Sequence, residues 1–333
     1  MAERRYDVLG IGNALVDILA RTDEAFLLAH GVAKGSMQLV DERQADALYA
    51  AIGATTTVSG GSAANTIAGV AALGGRGALI ARVRDDALGA TFAHDLRALG
   101  VAFSPAPAAS GPGTGRCIVL VTPDGERSMS TYLGAGQDLA PDDLDEAMIA
   151  AAHIVYLEGY LWDPPQAKAA FLKAAEIAHA NGGRVAITLS DAFCVDRYRA
   201  EFNELIDRGT VDIVFANESE IRCLYETSSF DTAVDQLAQR AVLGVVTRSE
   251  QGCVVLDRGD RVYAPAEPVC KLVDTTGAGD LFAAGFLFGL AQNRPLEVCA
   301  RLGAIAAAEV IQHMGARPQS DLRQLVIQSG LAL

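Results

Sequence analysis

Basic residues are scarce in this chain: 27 Lys and Arg stand against 41 Asp and Glu, a formal net charge of −14 over 333 residues. A surface of that sign repels a phosphodiester backbone, which excludes nucleic acid as a partner but not a small anion held by main-chain amides. Cysteines number six, and Cys117, Cys194, Cys223, Cys253, Cys270 and Cys299 show no C-x-x-C spacing. Most lie in apolar runs, so they read as buried free thiols in a reducing compartment rather than disulfides or a zinc site. The histidines, His30, His94, His153, His179 and His313, have no ligand-like spacing either. No apolar stretch reaches the roughly 20 residues a bilayer-crossing helix needs. Residues 1–5 are charged, and Asn13 and Asp17 break the apolar run behind them, which makes a poor signal sequence. The expectation is a cytoplasmic protein with no membrane partner. Low-complexity tracts, internal repeats and linkers are also missing, so the chain reads as one unit, 1–333.

Apolar residues, by contrast, make up 50% of the chain and charged ones 20%, ample for a large core. Near the C-terminal end, Asp274-Thr275-Thr276-Gly277-Ala278-Gly279-Asp280 leads into 281–290, a run apolar on every side. Such a run reads as a helix buried all round. The first amides of a helix lack intrahelical acceptors and the dipole is positive there, so a glycine-rich turn feeding it is a ready anion site. A carboxylate at that helix start, Asp280, suits proton abstraction from a hydroxyl attacking a phosphoryl group. The alternative is a structural turn with Asp280 as a cap.

Earlier in the chain, an apolar run ends in Gly10-Ile11-Gly12 and is followed by Asn13-Ala14-Leu15-Val16-Asp17. By spacing alone Asp17 reads as a strand-edge carboxylate. Asp41 is placed to cap a helix over 42–51. Gly60-Gly61-Ser62-Ala63-Ala64-Asn65 opens a helix with Ser62 as its N-cap, and Asn65 in the first turn needs partners, either backbone or ligand hydroxyls. Strands over 78–83, 153–157, 185–189, 211–216, 243–247 and 253–256 alternate with helices over 86–99, 166–180, 196–206, 218–225, 232–240, 295–313 and 321–329. That alternation predicts an α/β fold with a mostly parallel sheet covered on both faces, and ligands at the carboxyl ends of its strands. One interruption stands out: extended runs over 116–122 and 126–133 flank the turn Pro123-Asp124-Gly125, a hairpin suited to a lid. Trp162 follows a strand and either lines a pocket or packs in the core.

Four motifs in order resemble the phosphofructokinase-B (PfkB) or ribokinase-like family: Gly60-Gly61-x-x-x-Asn65, Asn217-Glu218-Ser219-Glu220, Thr247-Arg248-Ser249-Glu250-Gln251-Gly252 and the 274–280 signature. The resemblance implies a ribokinase-like three-layer α/β/α fold with a small β lid from discontiguous segments at about 14–20, 35–40 and 114–134. It implies ATP and Mg²⁺, and leaves open a monovalent cation such as K⁺ near Asp274–Thr276. Its roles carry over residue by residue. Asp280 is the base, and the amides of Gly277, Ala278 and Gly279 are the anion hole. Asn217 and Glu220 organise Mg²⁺ through water, and Thr247, Arg248 and Gly252 lie along the ATP site with Asn217. Asp17, Gly60, Gly61 and Asn65 hold substrate hydroxyls. The opening Gly10 to Asp17 resembles the adenosine-kinase branch, which adds Asn13 to the substrate site and makes Arg127 a lid arginine; the alternative for Arg127 is a solvated hairpin charge. The expected reaction is phosphorylation of a nucleoside 5′-hydroxyl, adenosine first. A sugar or another nucleoside, or a non-catalytic nucleoside or sugar sensor, are the alternatives. Monomer and homodimer both stay open.

Overall fold

The computed structural model describes residues 4–332, so the first three residues of the charged N-terminal stretch lie outside the described residues. The strands, in chain order, are β1 (Tyr6–Ile11), β2 (Leu15–Arg21), β3 (Met37–Leu39), β4 (Thr55–Gly60), β5 (Gly77–Ile80), β6 (Gly115–Val121), β7 (Arg127–Tyr132), β8 (Ala152–Glu158), β9 (Arg184–Thr188), β10 (Ile213–Asn217), β11 (Leu243–Thr247), β12 (Cys253–Asp257) and β13 (Asp260–Ala264). They build two sheets. The larger has the order β13-β12-β11-β10-β9-β8-β1-β5, and the smaller β3-β7-β6-β2-β4.

In the larger sheet every neighbouring pair from β5 to β11 is parallel, and β12 and β13 return antiparallel at one edge. Its central strands are almost continuously apolar because helices cover both faces. Alternation along β1 shows the split: Val8 joins one buried cluster, Leu9 and Ile11 the other. Helices Ser62–Ala72, Ala278–Ala291 and Leu296–Val310 carry the first cluster; Pro165–Ala180, Ala192–Asp207 and Phe230–Ala238 carry the second. This is the expected three-layer α/β/α arrangement. Trp162 belongs to the second cluster, its ring against Phe171 and Phe202 and its Nε1 donating to Glu201 at 2.8 Å, so the core reading holds.

The hairpin stands apart from the main sheet, as its sequence suggested. β6 and β7 pair across the 123–125 turn and join β2 and β3. A further strand, β4, lies antiparallel to β2; its Thr-rich sequence carries no apolar alternation and was not among the expected lid segments. Val16, Ile18 and Ala20 of β2 face away from the cleft, where Ala20 packs with Leu27, Ala45, Leu48, Ile118 and Leu120. Leu15, Asp17 and Leu19 face the other way. Asp41 caps helix Glu42–Ala51 in a reciprocal box with Gln44, as expected. Among the described residues the cysteines are free, Cys270 being exposed and Cys223 half-buried. No helix there is long and apolar enough to cross a membrane.

Helix Ala278–Ala291 is buried from Leu281 to Gly289 without a break, so neighbours press on it from every side. A Cβ on Gly285 would collide with the main-chain carbonyl of Leu302, which cannot yield as a flexible side chain would. Gly285→Ala is therefore expected to lower stability by about 1–3 kcal/mol, the range for overpacking. Urea unfolding checks it: the midpoint should fall with the slope unchanged.

Candidate active site

The carboxyl ends of the parallel strands and the inner face of the smaller sheet enclose a cavity of about 1030 Å³. Glu158, Thr188, Asn217 and Thr247, each closing a strand of the main sheet, line one side. Leu15, Asp17, Leu19, Val58, Val119, Arg127 and Met129 line the other. Ligands of open α/β sheets gather at this end of the strands.

Two helix starts meet at the base of the cavity. Gly277, at φ +80°, caps helix Ala278–Ala291, and a Cβ there would come within 2.7 Å of Ala316. Gly61, at φ +94°, caps helix Ser62–Ala72, so Gly61 and not Ser62 is the N-cap. The reason is steric as well as conformational, since a Cβ on Gly61 would meet the Asn13 carbonyl at 2.5 Å. Ser62 is thereby freed from capping. Its Oγ donates to Asp280 Oδ1 at 2.6 Å, while Asn65 Nδ2 donates to Asp280 Oδ2 at 2.9 Å. The Asn65 Oδ1 is buried without a partner among the described residues.

Burial pushes the Asp280 carboxyl above the usual carboxylate range, against the pull of the Ser62 and Asn65 hydrogen bonds and the Arg317 charge. Of the three amides assigned to the anion hole, that of Ala278 donates back to the Thr275 carbonyl at 3.2 Å. The amides of Gly277 and Gly279 have no such acceptor among the described residues, and the space beside Gly279 is open.

Arg127 is not a solvated hairpin charge. It reaches from β7 to the glycine turn, pairs with Asp274 at 2.8 Å and approaches Thr276 Oγ1 at 3.3 Å. Asp274 also accepts from the amides of Thr276 (3.0 Å) and Gly315 (2.9 Å), so that carboxylate pins the turn to both β7 and the C-terminal segment.

Asn13 and Asp17 both line the cavity with Gly61 and Asn65. Gly60 lies directly under the Asp17 carboxylate, where a Cβ would clash with it. Burial lifts Asp17 to about 6, opposed by the charges of Arg317 and Arg127 and reinforced by Asp280 and Asp274. Asn217 and Glu220 form a capping box at the start of helix Glu218–Leu224: Glu220 Oε2 accepts from the Asn217 amide at 3.0 Å, and Asn217 Oδ1 from the Glu220 amide at 2.9 Å. Thr247 reaches the cavity, but Arg248 and Gly252 are not among its lining residues. Arg248 pairs with Glu218 at 3.1 Å and lies 3.8 Å over the Phe230 ring, and Gly252 turns the chain against β13.

Two residues at the site were given no role by the sequence. Glu158 is buried to 1% exposure; Asn13 Nδ2 donates to its Oε1 at 2.7 Å and the Ala63 amide to its Oε2 at 2.8 Å. A carboxylate closing an otherwise apolar strand was the sign that could have found it. Burial pushes Glu158 up to about 7, against its two hydrogen bonds and with help from Asp280. Arg317 is the other, bonded to Ser59 and to the Ala64 carbonyl.

A ribokinase-like fold with a carboxylate between two helix starts, beside open glycine amides, defines a phosphoryl-transfer kinase class. The chain belongs to the pfkB family carbohydrate kinases, whose profile matches residues 34–322. It is 52% identical to the adenosine kinase of Sinorhizobium meliloti, covering 98% of this chain and 99% of that one with a TM-score of 0.91. It is 49% identical to the "probable sugar kinase protein" of Rhizobium etli CFN 42, covering 99% and 100% with a TM-score of 0.93. It is also 30% identical to the adenosine kinase of Saccharomyces cerevisiae over 92% of this chain and 94% of that one. Membership of this kinase family implies ATP as the phosphoryl donor.

Glu158 yields a prediction whose sign follows from its raised value. Its protonated form is favoured by folding, so that contribution is full below the ordinary glutamate value near 4.3 and is lost as pH rises through about 7. Glu158→Gln has no proton to lose. Its stability relative to the parent should rise between pH 5 and pH 8, read as the difference in urea midpoints at each pH; a pH-independent difference would refute the assignment.

Proposed function

We propose that this protein phosphorylates the 5′-hydroxyl of a nucleoside at the expense of ATP, with adenosine the preferred acceptor. One observation carries the chemistry: the Asp280 carboxylate is held by Ser62 and Asn65 at a helix start inside the cleft. There it accepts the proton of the acceptor hydroxyl as the new O–P bond forms and the bond from the γ-phosphorus to the bridging oxygen of ATP breaks. The open amides of Gly277 and Gly279 receive the phosphoryl oxygens, and the Arg127 cation beside Thr276 adds positive charge to that side.

On the acceptor side, the buried Asn65 Oδ1 without a partner is an acceptor awaiting a donor, which a substrate hydroxyl supplies. Asp17 and the Asn13 amide complete a polar floor. The inner face of the smaller sheet, with Leu19, Val58, Val119 and Met129, gives a base an apolar cover and serves as the lid of a single kinase unit. Thr247 meets the nucleotide on the far side, with Arg248 and Gly252 fixing the turn that follows it.

Mg²⁺ suits the remaining acids. Glu220 is 4% exposed, sits in none of the ion pairs among the described residues, and is pushed by burial up to about 7, with Asp191 adding to the push. A cleft-lining carboxylate short of a counter-charge is what a hydrated divalent ion satisfies. Glu220 would hold the ion through water with Asn217, and the ion would neutralise phosphate charge.

The nucleoside choice is supported by the adenosine kinases among the relatives and by the apolar lid face; the Rhizobium etli relative keeps a sugar acceptor in play. Two measurements decide. Asp280→Asn should cut kcat by about 10²–10⁴-fold while nucleoside binding by calorimetry survives. Burying a base against the lid at about 25 cal/mol per Å² gives adenosine about a hundredfold advantage over ribose in kcat/KM. Equal values for the two acceptors would turn the assignment to a sugar kinase.

A further inference from the structure

Behind the base lies a cation that neither the motifs nor the reaction just described uses. Arg317 sits in the C-terminal segment that follows helix Leu296–Val310, and its guanidinium spends its donors on Ser59 and on the Ala64 main chain. Nη1 donates to the Ala64 carbonyl at 2.6 Å, Nη2 to the Ser59 carbonyl at 3.1 Å and Ser59 Oγ at 3.2 Å, and Nε to the Ser59 carbonyl at 3.2 Å. Ser59 lies one residue before the end of β4 in the smaller sheet, and Ala64 lies in the first turn of the helix that presents Ser62 and Asn65. The fork therefore bridges the lid sheet to the turn that holds the base.

The same segment grips the other helix start. Ala316 packs where a Cβ on Gly277 would go, and the Gly315 amide donates to Asp274 at 2.9 Å. Three consecutive residues, Gly315, Ala316 and Arg317, thus fix the glycine turn and the Ser62–Asn65 turn relative to one another.

We propose that Arg317 is a positioning residue for phosphoryl transfer, a fixed cation that aligns the Ser62–Asn65 turn on the Asp280 carboxylate and supplies its counter-charge.

The charge environment fits that role. Asp17 from β2, Glu158 from the end of β8 and Arg317 from the C-terminal segment face Asp280, with the phenols of Tyr156 and Tyr160 nearby. Arg127 faces Asp17 and is committed to Asp274. Arg317 itself lies opposite Asp17, Asp280 and Asp95, and burial pulls it down to about 10, still well above neutrality. It stays charged at every working pH. Two further carboxylates near the base would otherwise favour its protonated, inactive form.

The inference rests on Asp280 acting as base, so the test includes a readout independent of turnover. Arg317→Met and Arg317→Lys are compared with the parent, with the ¹³C shift of the Asp280 carboxyl followed across pH and the kcat–pH profile measured alongside. In Arg317→Met the Asp280 midpoint and the acidic limb of kcat should both move up by on the order of one pH unit, as for loss of a nearby opposite charge. Arg317→Lys keeps the charge but not the fork. Its midpoint should stay within about 0.3 unit, while kcat falls about tenfold at all pH with KM little changed.

An unmoved midpoint in Arg317→Met, or parental kcat in Arg317→Lys, overturns the proposal. If Arg317→Met fails to fold, the lysine variant alone decides through its kcat. A moved carboxyl midpoint with an unmoved kcat limb would keep the charge effect, overturn the positioning role of Arg317 in phosphoryl transfer and trace the failure to the Asp280 base assignment.

Discussion

Everything at the site depends on the contact between two helix starts, made by Ser62 and Asn65 on one and Asp280 on the other. The contact is set at long range by packing. A Cβ on Gly69 would meet Ala284 at 2.6 Å and Leu281 at 2.7 Å, so the helices Ser62–Ala72 and Ala278–Ala291 run in close approach. Both begin at a glycine with positive φ, which turns each chain sharply into its helix and leaves little side chain in the cleft. Two positive helix ends converge, and one carboxylate is placed between them.

An acidic chain that takes an anionic donor has to place its positive charge locally. Here the placement is economical: Arg127 and Arg317, together with main-chain amides. Each arginine also ties the smaller sheet to the catalytic elements, Arg127 through Asp274 and Arg317 through Ser59. Electrostatics and sheet attachment are therefore one device, because the two arginines that line up positive charge near the glycine turn and Asp280 also tie the smaller sheet to those elements. The acids of the cleft answer to burial first. Asp17, Glu158 and Glu220 all rise toward neutrality, at about 6, 7 and 7, for want of a nearby fixed cation strong enough to offset desolvation.

Much of this was legible in sequence, and the parts that were not share a cause. Alternating strand and helix patterns showed the main sheet, the Pro123–Gly125 turn marked off the hairpin, and Asp274–Asp280 exposed the glycine turn with its acid. Each is a local pattern. β4 was missed because a polar Thr run has no alternation, and it is a strand only because β2 pairs with it. Ser62 was read as a cap because serine before a helix usually is one; its true partner is 218 residues away. Glu158 and Arg317 bond to Asn13, Ala63, Ser59 and Ala64, partners that only the tertiary fold brings near. Arg248 and Gly252 fit a motif yet do not line the cavity, since a motif records residue type and not that the Arg248 side chain turns to Glu218 and Phe230.

A general base in such a cleft meets conflicting demands. It must be ionised before the acceptor arrives, yet bind the proton firmly as the bond to phosphorus forms. Desolvation strengthens proton affinity, and hydrogen bonds or a cation weaken it. Asp280, the proposed base, carries both influences at once, with burial on one side and Ser62, Asn65 and Arg317 on the other. The apolar inner face of the smaller sheet lines the same cavity as that carboxylate, while Arg317, which holds the sheet through Ser59, sets the opposing charge. Substrate exclusion of water and the proton affinity of the base are thus coupled through the same few contacts. A looser sheet would give a wetter cleft, and with it a weaker base.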